Sequence, residues 1–359
     1  MAPTLAELAQ RFKPGLPDLE VAGDGATRIE GVCALSPGEA GKLSFLANPR
    51  LRDQLATTLA AAVIVTPSNA ARLKGAGLVT RDPHLAFARI AAIFDTYDHF
   101  TPGVNAAAVV APGVLIPLSS HVGPCSTIAA GARIGAGVYI GPNCTVGADA
   151  QIGDGSRLEG QVFVGARVRI GKRARLGPGA ALGYRGFGLA RSATGWEEVP
   201  QLGSVILGDD VEIGANTTID RGALGDTVLE DGVKLDNQIQ VGHNCRVGKH
   251  TVMAGASGIA GSTTVGARCM IGGGALLNGH ITVCDDVVIT GMSMVMQSIT
   301  EKGQYSSGLP AQPAKAWRRE VATVRRLGEM LQRLRELERR AGIAHGENDG
   351  GDEGGEPDV

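Results

Sequence analysis

A mainly β fold, built around a long parallel β-solenoid over residues 104–308, is the class this 359-residue sequence predicts, and three observations carry it. From Val110 an aliphatic residue recurs every six positions through Val122, Ile134, Val146, Leu158 and Ile170 to Leu182, thirteen times without a miss. The beat lapses over 183–206, returns at Leu207, Ile213 and Ile219, shifts by four residues, and runs again from Leu229 to Val295, for 28 positions in all. The period is neither the 3.6 of a helix nor the 2 of a half-buried strand. Finally, 53 glycines and only 4% aromatics suit a chain that turns often and packs small aliphatics.

A six-residue side holding one inward aliphatic, followed by a tight turn, closes after three sides into a lap of 18 residues. Laps then stack at the strand spacing of about 4.8 Å. Twenty-eight sides give about nine laps.

Residues 1–103 lack the beat and read as a small α/β domain. Thr4 and Glu7 form a capping box for a first helix. AAVIVT (61–66) reads as a strand and LAFARIAAIFD (85–95) as a helix, with Thr101-Pro102-Gly103 at the boundary. Residues 309–343 form a C-terminal helical segment in which Val321, Val324, Leu327, Met330, Leu331, Leu334 and Leu337 keep helical spacing. The Gly-rich acidic tail, 344–359, is expected to be disordered.

A formal net charge of −2 argues against nucleic acid as the partner of the whole chain. The six cysteines contain no C-x-x-C pair, the start does not read as a signal peptide, and no apolar run suffices for a transmembrane segment. A cytoplasmic protein with free thiols is expected.

Within QVGHNC, His243 lies two residues beyond the inward Val241, at a turn. One lap on is Gly261, and two laps plus one residue is His280. A base, a bare peptide N–H and a second ring on one ridge suit acyl transfer: imidazole takes a proton from an amine, and the glycine N–H stabilises the oxyanion. A surface histidine at a solenoid turn is the plain alternative. No metal is expected: His243 and His250 fall on different sides, and no third histidine comes into register.

The beat resembles the hexapeptide-repeat family, which implies a left-handed parallel β-helix and a homotrimer. A closer resemblance, spanning roughly residues 5–340, is to the UDP-3-O-acylglucosamine N-acyltransferase family of lipid A biosynthesis. It rests on LSFLANPR (43–50), GFG…GWEEVPQLG (186–203), VEIGANTTIDRGALGDT (211–227), KLDNQIQVGHNCRVG (234–248), LLNGHITV (276–283), TGMSMVM (290–296) and YSSGLPAQP (305–313).

That resemblance implies transfer of an (R)-3-hydroxyacyl chain from acyl carrier protein to the 2-amine of a UDP-linked, 3-O-acylated glucosamine lipid substrate. The donor is the carrier's phosphopantetheine thioester, and no further cofactor is implied. His243 is then the general base and Gly261 the oxyanion donor, with His280, Asp236 and Asn237 binding substrate. Phe45 and Asn48 bind the uracil, where this chain departs from the family in carrying Leu51 instead of an aromatic. Met294 and Met296 face the acyl chain, and Gln297 replaces an arginine often found there. An acetyl-CoA-dependent sugar acetyltransferase and a non-catalytic scaffold are the competing readings.

Overall fold

The computed structural model describes residues 2–97, 99–308 and 310–342; the acidic tail expected at 344–359 lies outside them. Two compact units divide between Thr101 and Pro102.

In the first unit a five-stranded sheet runs in the order Glu20–Ala22, Ala76–Val79, Ala62–Val65, Lys42–Phe45, Gly31–Val32. Only the first pair is antiparallel. Helix α1 (Leu5–Phe12) starts at the expected capping box. The Glu7 N–H donates to Thr4 Oγ1 at 3.2 Å and the Thr4 N–H to Glu7 Oε2 at 2.7 Å. Helix α2 (Pro83–Ala91) is capped by Asp82, whose Oδ1 accepts from the Leu85 N–H at 2.9 Å. Leu5, Leu8, Leu43, Ile64, Leu78 and Ile90 fill the core between helices and sheet.

The second unit is a left-handed parallel β-helix with three faces of 11, 10 and 8 strands, most only two residues long. A typical lap takes Lys234–Leu235 on the first face, Gln240–Val241 on the second and Arg246–Val247 on the third. Where the beat is unbroken, each strand pairs in parallel with the strand 18 residues on, as Val241 with Ile259 and Ile259 with Leu277. The inward aliphatics are almost wholly buried and form one continuous core from Val122 to Ile299. Each such side chain contributes about 1.5–3 kcal/mol relative to exposure.

Buried Ser, Thr and Cys side chains sit at the corners and donate to carbonyls of the next lap, as Ser126 to Gly141 O at 2.6 Å and Thr251 to Gly266 O at 2.7 Å. These bonds satisfy carbonyls that the short strands leave free.

Two features differ from the sequence expectation. Ile116 keeps the beat but lies in no strand. The residue after each inward aliphatic donates its N–H to the next lap, as Gly135 does to Ile152 O, and Pro117 has none to give. The C-terminal segment forms two helices, α3 (Ala314–Val324) and α4 (Leu327–Arg340), in place of one. The break follows the β-branched Thr323-Val324 and precedes Gly328, the weakest helix formers there. No residue of either helix is buried, so among the described residues nothing of this chain covers the apolar stripe of α4.

Candidate active site

Both interruptions of the beat fall at one corner, between the second and third faces, in successive laps. The first inserts an antiparallel hairpin, Leu189–Ser192 with Gly195–Glu198, between the strands Ala181–Tyr184 and Val205–Leu207. The second places the four extra residues in the loop 221–226, between Thr218–Asp220 and Thr227–Leu229. The turn that carries His243 is the same corner one lap later.

The His243 ring is half-buried between two bare glycines. A methyl placed on Gly261 would stand 2.7 Å from Nε2, and one on Gly186, at the foot of the hairpin, 2.8 Å from the His243 Cβ. The lap of 18 therefore brings His243 and Gly261 together, with the His243 carbonyl accepting from the Ser262 N–H at 2.8 Å.

At several other corners the residue two beyond the inward aliphatic has its N–H capped by a side chain from the next lap. Asp154 caps Ala136 at 2.9 Å, Asp209 caps Lys172 at 2.7 Å, Asn237 caps Ala215 at 2.7 Å and Asp285 caps Ala267 at 2.9 Å. The equivalent cap for Gly261 would come from Gly279, which has no side chain. The Gly261 N–H accordingly meets no acceptor among the described residues. An uncommitted peptide donor beside an imidazole is the pairing that acyl transfer uses.

His243 Nδ1 is 3.0 Å from Asn244 Oδ1. Asn244 Oδ1 also accepts from the Ala223 N–H at 2.9 Å, and Nδ2 donates to Gly225 O at 3.3 Å. The Asn244 N–H donates to buried Thr227 Oγ1 at 2.9 Å. Asp220, at the same corner one lap before Val241 and Gly242, accepts from Gln240 Nε2 at 3.0 Å. Burial pushes its carboxyl above the usual range, while the Gln240 bond and the His243 ring pull the other way.

Asn244, Asp220 and Gly186 were not singled out from the sequence. The signal lay in the four-residue phase shift, which falls one lap before the histidine.

His280 sits on the same ridge, exposed, its N–H donating to Gly261 O at 3.1 Å. It holds the left-handed second turn position (φ 59°), in register with Ser262 and Asn244 and one residue off the His243–Gly261 line. Asp236 and Asn237 are not brought to His243 within one chain. They occupy the corner between the first and second faces, where Asp236 Oδ2 accepts from the Gly255 N–H at 3.0 Å and Asn237 caps Ala215.

Met294 projects from the second face in register with Leu276, and Met296 follows at the next corner; both are exposed. They line a groove of about 220 Å³ with Gln297, Tyr305, Ser306 and Ser307.

In the first unit Phe45 and Asn48 line a cavity of about 510 Å³ with Leu35, Leu46, Leu51 and His84. Phe45 stacks on Phe87 with centroids 4.2 Å apart, and His84 lies 5.7 Å away at an interplanar angle of 23°. The Asn48 Oδ1 caps the following 3-10 turn through the Arg50 N–H at 3.0 Å.

Cys245, two residues from His243, is no nucleophile in waiting. It is buried, its Sγ donates to Ala260 O at 3.1 Å, and burial pushes the thiol up to about 11.

Comparison with known proteins places the chain in a family. A family model described as UDP-3-O-(3-hydroxymyristoyl) glucosamine N-acyltransferase, LpxD, matches residues 26–93, and one described as hexapeptide repeat of succinyl-transferase matches residues 131–166. The UDP-3-O-acylglucosamine N-acyltransferase of Xanthomonas campestris pv. campestris (strain 8004) is 52% identical over 331 residues, 92% of this chain and 97% of that protein. The enzyme of the same name from Pseudomonas aeruginosa (strain LESB58) is 45% identical over 321 residues, covering 89% and 91%. Among solved structures, the Arabidopsis UDP-N-acetylglucosamine acyltransferase shares the fold, with a TM-score of 0.52 at 20% identity over 61% of this chain and 77% of that one. At such identity over nearly all of both chains, this protein belongs to the UDP-3-O-acylglucosamine N-acyltransferase family and is an acyltransferase.

Proposed function

We propose that the chain moves an (R)-3-hydroxyacyl group from the phosphopantetheine thioester of acyl carrier protein to the 2-amine of UDP-3-O-acylglucosamine, in lipid A biosynthesis. One observation carries the mechanism: the His243 ring lies against Gly261, whose peptide N–H has no acceptor among the described residues.

The amine lone pair attacks the thioester carbonyl carbon, and charge develops on the carbonyl oxygen as the C–N bond forms. The Gly261 N–H donates to that oxygen. His243 Nε2 takes a proton from the nitrogen and returns it to the sulfur as the C–S bond breaks and the carbonyl re-forms. The amine must arrive neutral or lose its proton during attack, so the rate rises with pH. No acyl-enzyme is needed, in keeping with the buried, un-ionised Cys245.

The site is completed by a homotrimer. In one chain Asp236 and Asn237 stand on a different corner from His243, so a neighbouring copy is needed to bring both corners to one acceptor. Exposed Met270, Leu276 and Met292 on the solenoid, and Leu327, Met330, Leu331, Leu334 and Leu337 on α4, supply apolar surface for that assembly. Met294 and Met296 face the acyl chain, which flexible thioethers suit. Phe45 and Asn48 hold the uracil, with His84 presenting a further ring beside Leu51. No helix among the described residues is long and apolar enough to cross a membrane, and a cytoplasmic site of action fits a carrier-protein donor.

Mass spectrometry of the product formed from a mixed pool of hydroxyacyl carrier proteins, with acetyl-CoA offered in parallel, tests the proposal. A product gaining a 3-hydroxyacyl amide supports it. Acetylated sugar alone would replace it with the acetyltransferase reading.

A further inference from the structure

A neutral imidazole carries one proton, and only the nitrogen without it serves as a base. What surrounds Asn244 decides which nitrogen that is at His243. The Asn244 amide is held between two backbone groups of the loop 221–226: the Ala223 N–H, which needs an acceptor, and the Gly225 carbonyl, which needs a donor. Turning the amide over would set donor against donor and acceptor against acceptor, so Oδ1 faces Ala223. That same Oδ1 is the atom 3.0 Å from His243 Nδ1. With two lone pairs it accepts from both neighbours, and a hydrogen bond there requires the proton on Nδ1.

The loop itself leaves this amide little room. A methyl on Gly222 or on Gly203 would lie 1.8 or 2.0 Å from the Gly225 carbonyl oxygen, so both neighbours must be bare for that carbonyl to hold its place. Thr227, buried at the end of the loop, fixes the Asn244 backbone through its N–H.

We infer that Asn244, clamped by the loop 221–226, is a positioning residue that holds His243 in the Nδ1–H tautomer and keeps the Nε2 lone pair on the Gly261 side. The four residues that break the repeat one lap below the histidine thereby acquire a purpose. The inference rests on His243 being the base, but its first readout does not.

The test uses the full chain labelled with ¹⁵N at histidine, with the His243 signal identified by its absence from His243→Ala. Long-range ¹H–¹⁵N spectra, taken where the ring is neutral, distinguish the two tautomers. Nδ1–H is expected in the native chain and in Asn244→Asp. Nε2–H, the form favoured by a free imidazole, is expected in Asn244→Ala, with kcat lowered about 10–10³-fold and KM held within about three-fold.

Nε2–H in the native chain overturns the inference, and that spectrum decides even if Asn244→Ala does not fold. An unchanged tautomer in Asn244→Ala overturns it, as does a changed tautomer with native kcat. Should His243→Ala remain active, the base assignment falls while the tautomer result stands. An inactive His243→Ala beside a fully active Asn244→Ala sinks only the positioning role.

Discussion

Gly261→Ala is the substitution whose consequence follows most directly from the geometry. The added methyl would lie 2.7 Å from His243 Nε2, 2.8 Å from Cε1 and 3.1 Å from Cδ2. Non-bonded carbon contacts settle at about 3.5–4.0 Å, so the ring must retreat by about 1 Å. The backbone at Gly261 is not in the left-handed region, so alanine brings no strain of its own, and stability should change by no more than about 1 kcal/mol. A catalytic group displaced by about 1 Å costs on the order of 10² in rate. We therefore expect kcat for hydroxyacyl transfer to fall by about 10², with a melting temperature close to the parent's. Steady-state assays at saturating donor and acceptor, with calorimetry on the same preparations, supply both numbers. Gly186→Ala pushes on the His243 Cβ from the hairpin side, from 2.8 Å, and should reduce kcat in the same sense. A Gly261→Ala enzyme with kcat within about three-fold of the parent would refute the reasoning, because the ring's place beside that peptide would then not matter.

Three further outcomes follow. Cys245, buried with its thiol pushed up to about 11, should resist alkylation in the folded protein at neutral pH while exposed Cys125 reacts; peptide mass mapping that finds Cys245 labelled first would contradict its structural role. Burial raises the folded-state pKa of Asp220, so the folded chain binds that proton more tightly than the unfolded one, and the carboxyl's contribution to stability falls as pH rises from about 4 through the folded value. Asp220→Asn keeps an acceptor for Gln240 and should gain in melting temperature relative to the parent between acid and neutral pH; a gap independent of pH would show that Asp220 is not desolvated. Leu51→Tyr adds a second aromatic to the Phe45 cavity and should tighten uridine diphosphate binding by about 1 kcal/mol, near five-fold in calorimetric Kd, whereas weaker binding would mean the nucleotide does not stack there.

Much of this molecule can be read from the repeat because each side of the prism presents a single inward side chain. One aliphatic in six fixes strand, corner and lap together, and the step from 243 to 261 follows by addition. The same addition places Asp236 and Asn237 one side away from His243, since six residues separate successive sides. What the beat cannot show is where the extra residues go when it fails. The hairpin at 189–198 and the loop at 221–226 lie far apart in sequence, yet both emerge at the histidine's corner, because strands on one face stack regardless of what intervenes. The role of Asn244 depends on backbone groups of Ala223 and Gly225, a lap away, and carries no local signature. Ile116 shows the reverse case, an aliphatic on the beat that forms no strand because Pro117 lacks the donor that would join it to the next lap.

The central claim is that the imidazole at one corner of the solenoid takes the proton of the attacking amine. Single-turnover transfer from hydroxyacyl carrier protein to UDP-3-O-acylglucosamine, measured for the parent and for His243→Ala across neutral pH, tests it most directly. A loss of about 10²–10⁴ in rate, with the parent's dependence on pH altered in the variant, is the result the mechanism requires. A folded His243→Ala protein that turns over at the parent's rate, with the same pH dependence, would contradict it.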